Sequence, residues 1–457
     1  MYQNYKEPAK YESFTDANSS MISAEESGRE SVKSYQEPDT SLTYIPRPPR
    51  PRRIRNDGFA VFYFIWLGST ALAVGFAVMN SFTFFKAKFP KTDPKIDYPI
   101  PQHIAPIIVT FVITHMSNSL TYNTRVVMSL LASMLIGVLL PFFAHVLEKT
   151  SLGNLAMLVL LFVLGFFQNV CYSSVAGLTS QIDKKYTTYF LIGVGIGSLK
   201  MSFLKMAFDK TFKYLNGGVN VDNGNMLENS LFFGLSVILI FFALIFHIAF
   251  MRSSFYQRYL KKRLYSVIEE DFDLDLLKQA DNPDREKRNF GTLFKVFQQT
   301  QVHIWLMVIA SIQQHIAYPG LMLMKPIAGM DDKDKSTSMI ITFSVFYIIG
   351  KKFGQFRQYY NKYTMMVLVM LRFISIGFFY VQAYYPNVEI FNTIWFGYSN
   401  ITFFGILMGL LNVGLFVLAP EPVSKENKEL AGFLAVFGLN FGTLLGDLIA
   451  LVFEEGH

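Results

Sequence analysis

The sequence predicts an all-α protein that crosses a membrane many times. Charged residues make up only 16% of the 457, against roughly 25% in an ordinary soluble domain. Hydrophobic residues reach 51%, Phe alone numbers 46, and the mean hydropathy is +0.30. The apolar residues also arrive in long blocks with hardly a charge inside. A soluble chain of this length forms about three domains, and so few charges could not surface them. The single cysteine, Cys171, excludes a disulfide scaffold, a thiolate metal site and a CxxC redox pair. The net charge of +7, from 41 basic and 34 acidic residues, could indicate a nucleic-acid partner. Its placement argues for a lipid bilayer instead, because the basic residues sit between the apolar blocks, where they orient a membrane protein.

Residues 1–57 form a polar tail that ends in the Pro/Arg run from Ile45 to Arg55. Low hydrophobicity and mixed charge predict disorder there, with polyproline II in the Pro/Arg part. The tail has no apolar core of a secretory signal. Its acids (Glu7, Glu12, Asp16, Glu25, Glu26 and Glu30) argue against a mitochondrial transit peptide.

A bilayer core of about 30 Å needs roughly 20 apolar residues per helix. On that basis eleven blocks are expected, near 59–85, 103–121, 126–147, 153–180, 187–207, 229–251, 302–324, 338–356, 364–385, 393–419 and 430–453. Lys and Arg set the orientation. With the N-terminus inside, the inner segments hold the Arg47–Arg55 cluster, Arg125, Lys184, Lys185, Lys351, Lys352, Arg357, Lys362, Lys425 and Lys428. The inner loop after the sixth helix adds Arg252, Arg258, Lys261, Lys262 and Arg263, and the outer loops carry far fewer. The bias predicts N-terminus inside and C-terminus outside. The loop at 252–301 divides the membrane part into a six-helix bundle, 58–251, and a five-helix bundle, 302–457. Phe255, Tyr259 and Leu264 against Arg258, Lys261 and Lys262 predict an amphipathic surface helix within it.

No HExxH, GxSxG, P-loop or Cys/His cluster is present, so neither an enzyme, a metal site nor a bound cofactor is expected. His115 and His315 read as packed, hydrogen-bonded residues of apolar blocks. Gly193-Val-Gly-Ile-Gly197 has no preceding strand, so it reads as a helix-packing seam rather than a dinucleotide fingerprint. Polar residues inside membrane segments usually face the bundle interior or an aqueous path. The candidates are Gln168, Asn169, Lys200, Lys205, Lys351, Arg372, Asn412 and Asp447. Arg372 and Asp447 are opposite charges available to neutralise one another, and Lys205, near a helix end, has the reach to snorkel to the headgroups.

Several of these residues sit in longer patterns. Gly165-Phe-Phe-Gln-Asn-Val, then Ala176-Gly-Leu, then Tyr189-Phe-Leu-Ile-Gly-Val-Gly-Ile-Gly resembles helices 4 and 5 of the equilibrative nucleoside transporters. Phe255-Tyr-Gln-Arg-Tyr resembles the aromatic-basic exit of that family's sixth helix. Phe343-Ser-Val-Phe-Tyr-Ile-Ile-Gly-Lys351 resembles its helix 8 pattern Phe-Asn-x-x-Asp-x-x-Gly-Arg. Arg372 falls where its ninth helix has an Arg, and Glu429-Leu-Ala-Gly432 resembles its closing segment. The resemblance runs from about 58 to 454 in the family's order. It implies a major-facilitator-like fold of about eleven helices, six plus five, and transport of a nucleoside or similar small polar solute.

The resemblance also implies a site. Gln168 stands where the family contacts the nucleobase, and Lys351 where a helix 8 Arg serves the ribose. Phe76 and Tyr347 would stack or gate, and Arg372 and Asn412 complete the set. Three positions depart from the pattern: Gly75-Phe76 replaces an expected Trp-Asn pair, Tyr347 replaces the helix 8 Asp, and Lys351 replaces its Arg. Lys351 keeps the charge without the bidentate fork. These departures open a second expectation. A transporter fold that has lost transport would serve as an accessory subunit of a larger assembly, with the mitochondrial inner membrane among its homes. Its tail would then be held by protein partners, and its centre filled by Phe76 and Tyr347.

Overall fold

A computed structural model describes residues 57–117, 119–216, 225–259, 290–322, 332–354, 356, 360–385 and 388–455. The tail before Asp57 and the middle of the inner linker, with most of its expected surface helix, lie outside the described residues. Every regular element among the described residues is helical.

The first expected block folds as two helices, α1 (Gly58–Ala71) and α2 (Ala73–Met79). The break at Leu72 follows from the two hydroxyls just before it. Ser69 Oγ and Thr70 Oγ1 both donate to the Trp66 carbonyl, at 2.9 and 2.8 Å, and such back-bonding bends helices. Two short helices, α3 (Phe82–Lys88) and α4 (Pro94–Asp97), lead into α5 (Pro99–Met116). Pro99 starts α5 where its missing N–H is not needed. Pro106 inside α5 withholds a hydrogen bond from the carbonyl one turn back, that of Gln102.

Four long helices complete the first half: α6 (Tyr122–Val146), α7 (Ser151–Ile182), α8 (Lys184–Leu215) and α9 (Met226–Arg252). Thr121, Thr150, Asp183 and Asn225 cap them, each side chain accepting a backbone N–H of the first turn. The second half contains α10 (Phe290–His315), α11 (Asp332–Phe353), α12 (Lys362–Tyr384), α13 (Ile394–Leu418) and α14 (Lys428–Glu455). A π-helical turn, Ile316–Leu321, follows α10 directly.

Among the described residues, eight spans are long and apolar enough to cross a membrane, including Gly58–Met79 and Lys425–Ala450. Helices α5, α10 and α11 coincide with three further expected blocks but do not meet that measure. One boundary differs clearly from expectation. α10 begins at Phe290, twelve residues before the expected start at 302 and inside the expected linker. Its first turns are amphipathic rather than apolar: Leu293, Val296 and Thr300 are buried at helical spacing, while Lys295, Gln298 and Gln299 hold the local hydropathy down.

The surface confirms the solvent. On α6, Leu131, Leu135, Val138, Phe142 and Val146 lie at spacings of three and four, and each is half or more exposed. A continuous apolar stripe facing outward is the reverse of a soluble helix and suits a lipid environment. The core between helices is drawn tight by glycines. A methyl group on Gly193 would lie 2.2 Å from the Ile65 carbonyl oxygen, and one on Gly68 would lie 2.2 Å from that of Phe190. The Gly193–Gly197 segment is therefore a backbone-to-backbone seam between α8 and α1. The second half repeats the device, with Gly442 facing the Val308 carbonyl of α10 and Gly350 of α11 facing Ile406 of α13. α1 packs on α8 as α10 packs on α14, and α5 on α7 as α11 on α13.

A candidate solute cavity between the two halves

A cavity of about 540 Å³ lies between the two sets of helices, within the range of small-molecule sites. Its position follows from local chemistry. Gly165 lets α7 approach α5 so closely that a methyl group there would sit 2.4 Å from the Gln102 carbonyl, the one Pro106 leaves without its helical donor. One turn on, Asn169 Nδ2 donates to the Pro106 carbonyl at 3.2 Å. Asn169 Oδ1 in turn accepts from Asn440 Nδ2 of α14 at 3.0 Å. This amide pair joins the first half to the second at cavity level.

Of the six residues that sequence reasoning assigned, Gln168, Phe76, Tyr347 and Asn412 line this cavity, and Lys351 and Arg372 do not. Gln168 Nε2 and Asn412 Oδ1 have no hydrogen-bond partner in the protein, one a donor and the other an acceptor. An amide group left unpaired in a protein interior costs about 1–3 kcal/mol. Aromatic rings line another part of the wall. Tyr318 stacks on Phe343 at 4.8 Å, and Phe343 on Tyr347 at 5.6 Å with the rings 11° apart. The π-helical turn carries Tyr318 into this stack; such turns re-aim side chains at functional sites.

Lys351 is fully buried beyond the stack. Its Nζ donates to the Leu191 carbonyl of α8 at 2.7 Å and lies 3.9 Å from the centre of the Tyr347 ring. Where the nucleoside-transporter pattern has a carboxylate, Tyr347 therefore offers an aromatic face, and the ammonium takes it as a cation–π partner. Arg372, also fully buried, donates to the Ala310 carbonyl at 2.8 Å and lies 4.5 Å from the Phe404 ring centre. The expected neutralisation of Arg372 by Asp447 is not what the structure contains. Asp447 instead accepts from two imidazoles, His103 Nδ1 at 2.6 Å and His315 Nδ1 at 2.7 Å. Lys205, expected to snorkel, pairs with Glu228 and with Asp209. His115, expected to pack, is exposed in the last turn of α5.

Gly75 has a steric reason. A methyl group there would meet Gln102 Nε2 at 2.6 Å and Gln168 Oε1 at 2.8 Å, so the two amides occupy the space that a larger residue at this position would fill.

The end of the molecule that carries Asp57 is shut. Arg125 of α6 donates to Glu429 of α14 at 2.9 Å, and Gln181 of α7 donates to the second carboxylate oxygen at 2.9 Å. Tyr259 holds Gln181 from its other side at 2.9 Å. Lys184 pairs with Glu421 at 2.5 Å. Backbones meet here as well, since a methyl group on Gly432 would lie 3.0 Å from Gly177 Cα. Sequence reasoning did not find this cluster or the His103–Asp447–His315 group. The lone carboxylate of Asp447 and the imidazole of His315, each in an apolar block, were the available signals for the latter.

Two helical halves facing one another across a polar cavity define a major-facilitator fold. The solved structures similar to this chain agree. The major-facilitator proton:xylose symporter XylE, bound to 6-bromo-6-deoxy-D-glucose, matches with a TM-score of 0.62 at 13% identity, over 88% of this chain and 90% of that one. FucP, a transporter of the same superfamily in an outward conformation, matches with a TM-score of 0.52 at 12% identity, over 86% of this chain and 96% of that one. Residues 156–455 match the nucleoside transporter family, and the chain belongs to that family. It is a multi-pass membrane transporter. No curated protein matches the sequence.

Proposed function

We propose that the protein is a facilitative carrier of nucleosides or similar small polar solutes, working by alternating access between a six-helix and a five-helix bundle. Eleven spans and an N-terminus inside follow from the block count and the Lys/Arg bias, which place the shut Asp57 end on the inner side. The observation that carries the reading is the cavity wall itself. It carries the side chains of Gln168 and Asn412, whose unpaired amide atoms are covered in this arrangement, and a stack of three rings. A nucleobase is a flat aromatic with donors and acceptors on its edge, so one face suits the stack and the edge suits the amides. Lys351 sits outside the cavity, so ribose selection falls to other groups, with Ser198, Ser202 and Thr443 on the wall as hydroxyl candidates. An accessory subunit would need its centre filled. Phe76 and Tyr347 line an open volume instead, which favours the carrier.

The test is counterflow of labelled adenosine and of uridine in proteoliposomes. Exchange well above that of empty vesicles is expected. Gln168→Leu should lower it about 10- to 100-fold, the equivalent of one hydrogen bond lost beside a desolvated polar group. Exchange equal to empty vesicles would overturn the reading.

A further inference from the structure

The cavity wall holds one cluster that recognition of a neutral solute does not use. Asp447 lies on α14, His103 on α5 and His315 at the end of α10, and the two imidazoles contact different oxygens of the one carboxylate. The rings lie 5.7 Å apart and nearly perpendicular. Close helix packing brings them together: a methyl group on Gly446 would lie 2.7 Å from His315 Cβ, so only a residue without a side chain lets α10 seat His315 beside Asp447. The three side chains are 12–16% exposed, and His103 and Asp447 line the cavity together with His315. Water in the cavity therefore has access to them.

We propose that His103, Asp447 and His315 form a proton-binding site that couples the solute's movement to that of a proton, in the same direction. This rests on the carrier reading above. With both imidazoles neutral the cluster carries one net negative charge, and with one proton added it carries none. The tie between His103 and Asp447 joins the two halves. It is strengthened when the donor is an imidazolium, because charge-assisted hydrogen bonds are roughly twice as strong as neutral ones. The proton thus favours the arrangement in which α5 and α14 are drawn together. A solute bridging Gln168 and Asn412, one on each half, favours the same arrangement. Two ligands that stabilise one state bind with positive coupling, and a carrier in which they do so moves them together. The proton comes from cavity water on one side and returns to water on the other once α5 parts from α14.

The surroundings leave this cluster in charge of the proton. The other titratable side chains on the cavity wall are Tyr172 of α7, Tyr318 of the π-helical turn and Tyr347 of α11. Arg372 of α12 is held by the Ala310 carbonyl, Lys351 of α11 by that of Leu191, and Lys200 of α8 by that of Ser69 at 3.1 Å. On the same helices, Glu429 begins α14 and is bound by Arg125. His303 and Lys295 lie several turns before His315, and His115 lies at the far end of α5.

The experiment is uptake of labelled adenosine and uridine into proteoliposomes holding a trapped pH indicator, with membrane potential clamped at zero. Solute addition should acidify the lumen, and an inward gradient of one pH unit should drive about tenfold accumulation at one proton per solute. Asp447→Asn should abolish acidification and accumulation while measurable solute counterflow, which needs no net proton movement, persists. His103→Gln should do the same. Uptake in the wild type with no acidification and no gradient-driven accumulation would overturn proton coupling and leave the carrier reading standing. Loss of counterflow together with acidification in both variants would overturn it too, by reducing the cluster to a structural tie. No exchange of either probe in the wild type would overturn both.

Discussion

Replacement of Glu429 by Gln should open the Asp57 end. Glu429 is 7% exposed and Arg125 4%, so the pair is withdrawn from water, and Arg125 Nε and Nη1 already lack partners. Removing one member of such a pair costs about 3–5 kcal/mol, mostly from the charge left behind. Two contacts soften the loss. The amide of Gln still accepts one hydrogen bond, and the Phe433 ring, 5.8 Å from the guanidinium carbon, retains a cation–π attraction of about 0.5–1 kcal/mol. A net loss of about 2–3 kcal/mol remains, and it falls on the shut state, because parting the halves lets water reach Arg125. At about 1.4 kcal/mol per decade this shifts the equilibrium roughly 30- to 140-fold toward opening. Spin labels at Ser254→Cys and Lys425→Cys, both exposed at this end, report the separation of the halves by pulsed dipolar spectroscopy. The shut distance should dominate in the parent and become a minority or half population in Glu429→Gln. Arg125→Ala should do the same, and the double variant should be no worse than either single one. An unchanged distance distribution in both single variants would refute the reasoning.

Gly193→Val should prevent correct assembly, since its methyls would meet the Ile65 carbonyl. Gly234→Ala and Gly377→Ala, which meet nothing within 4 Å, should be neutral or stabilise by about 0.5–1 kcal/mol; monodispersity on size exclusion and thermal stability separate the two classes. Asp57 hydrogen-bonds Lys185 and Tyr186, and these bonds, with the Lys185 charge, hold its carboxyl below the usual carboxylate range. A lowered folded-state value stabilises above the unfolded one and is lost as pH falls through the folded one. Asp57→Asn should therefore melt slightly below the parent at pH 7, from a stability loss of less than about 1 kcal/mol for so exposed a pair, and the gap should close below about pH 4. Cys171 is buried within α7, so maleimide should label it only after denaturation; rapid labelling of the native protein would contradict the packing of that helix.

Much of the helix layout was legible because the bilayer imposes a simple rule, long apolar runs separated by basic loops. It failed at α10, where Leu293, Val296 and Thr300 face protein and Lys295, Gln298 and Gln299 interrupt the outward side, so no apolar run announces its start. Gln168, Phe76, Tyr347 and Asn412, singled out by resemblance and by their polarity or place in apolar blocks, line the cavity. Lys351 and Arg372 lie off the cavity wall because both bind backbone carbonyls of neighbouring helices, and carbonyls carry no sequence signal. Asp447 was paired with the wrong partner for a related reason. Its true partners lie 344 and 132 residues away in the chain, and imidazoles carry no fixed charge by which a count of opposite signs could match them.

The glycine seams give the molecule two kinds of joint. Within a half, backbone touches backbone, as at Gly193 against Ile65 and Gly442 against Val308, and nothing there can slide without collision. Between the halves at cavity depth, the contacts include amides and imidazoles, as at Asn169 with Asn440 and His103 with Asp447. Each of those bonds can be exchanged for one to water as the surfaces separate, so parting them meets little friction. The chain is thereby divided into two stiff bodies and one wettable slip plane.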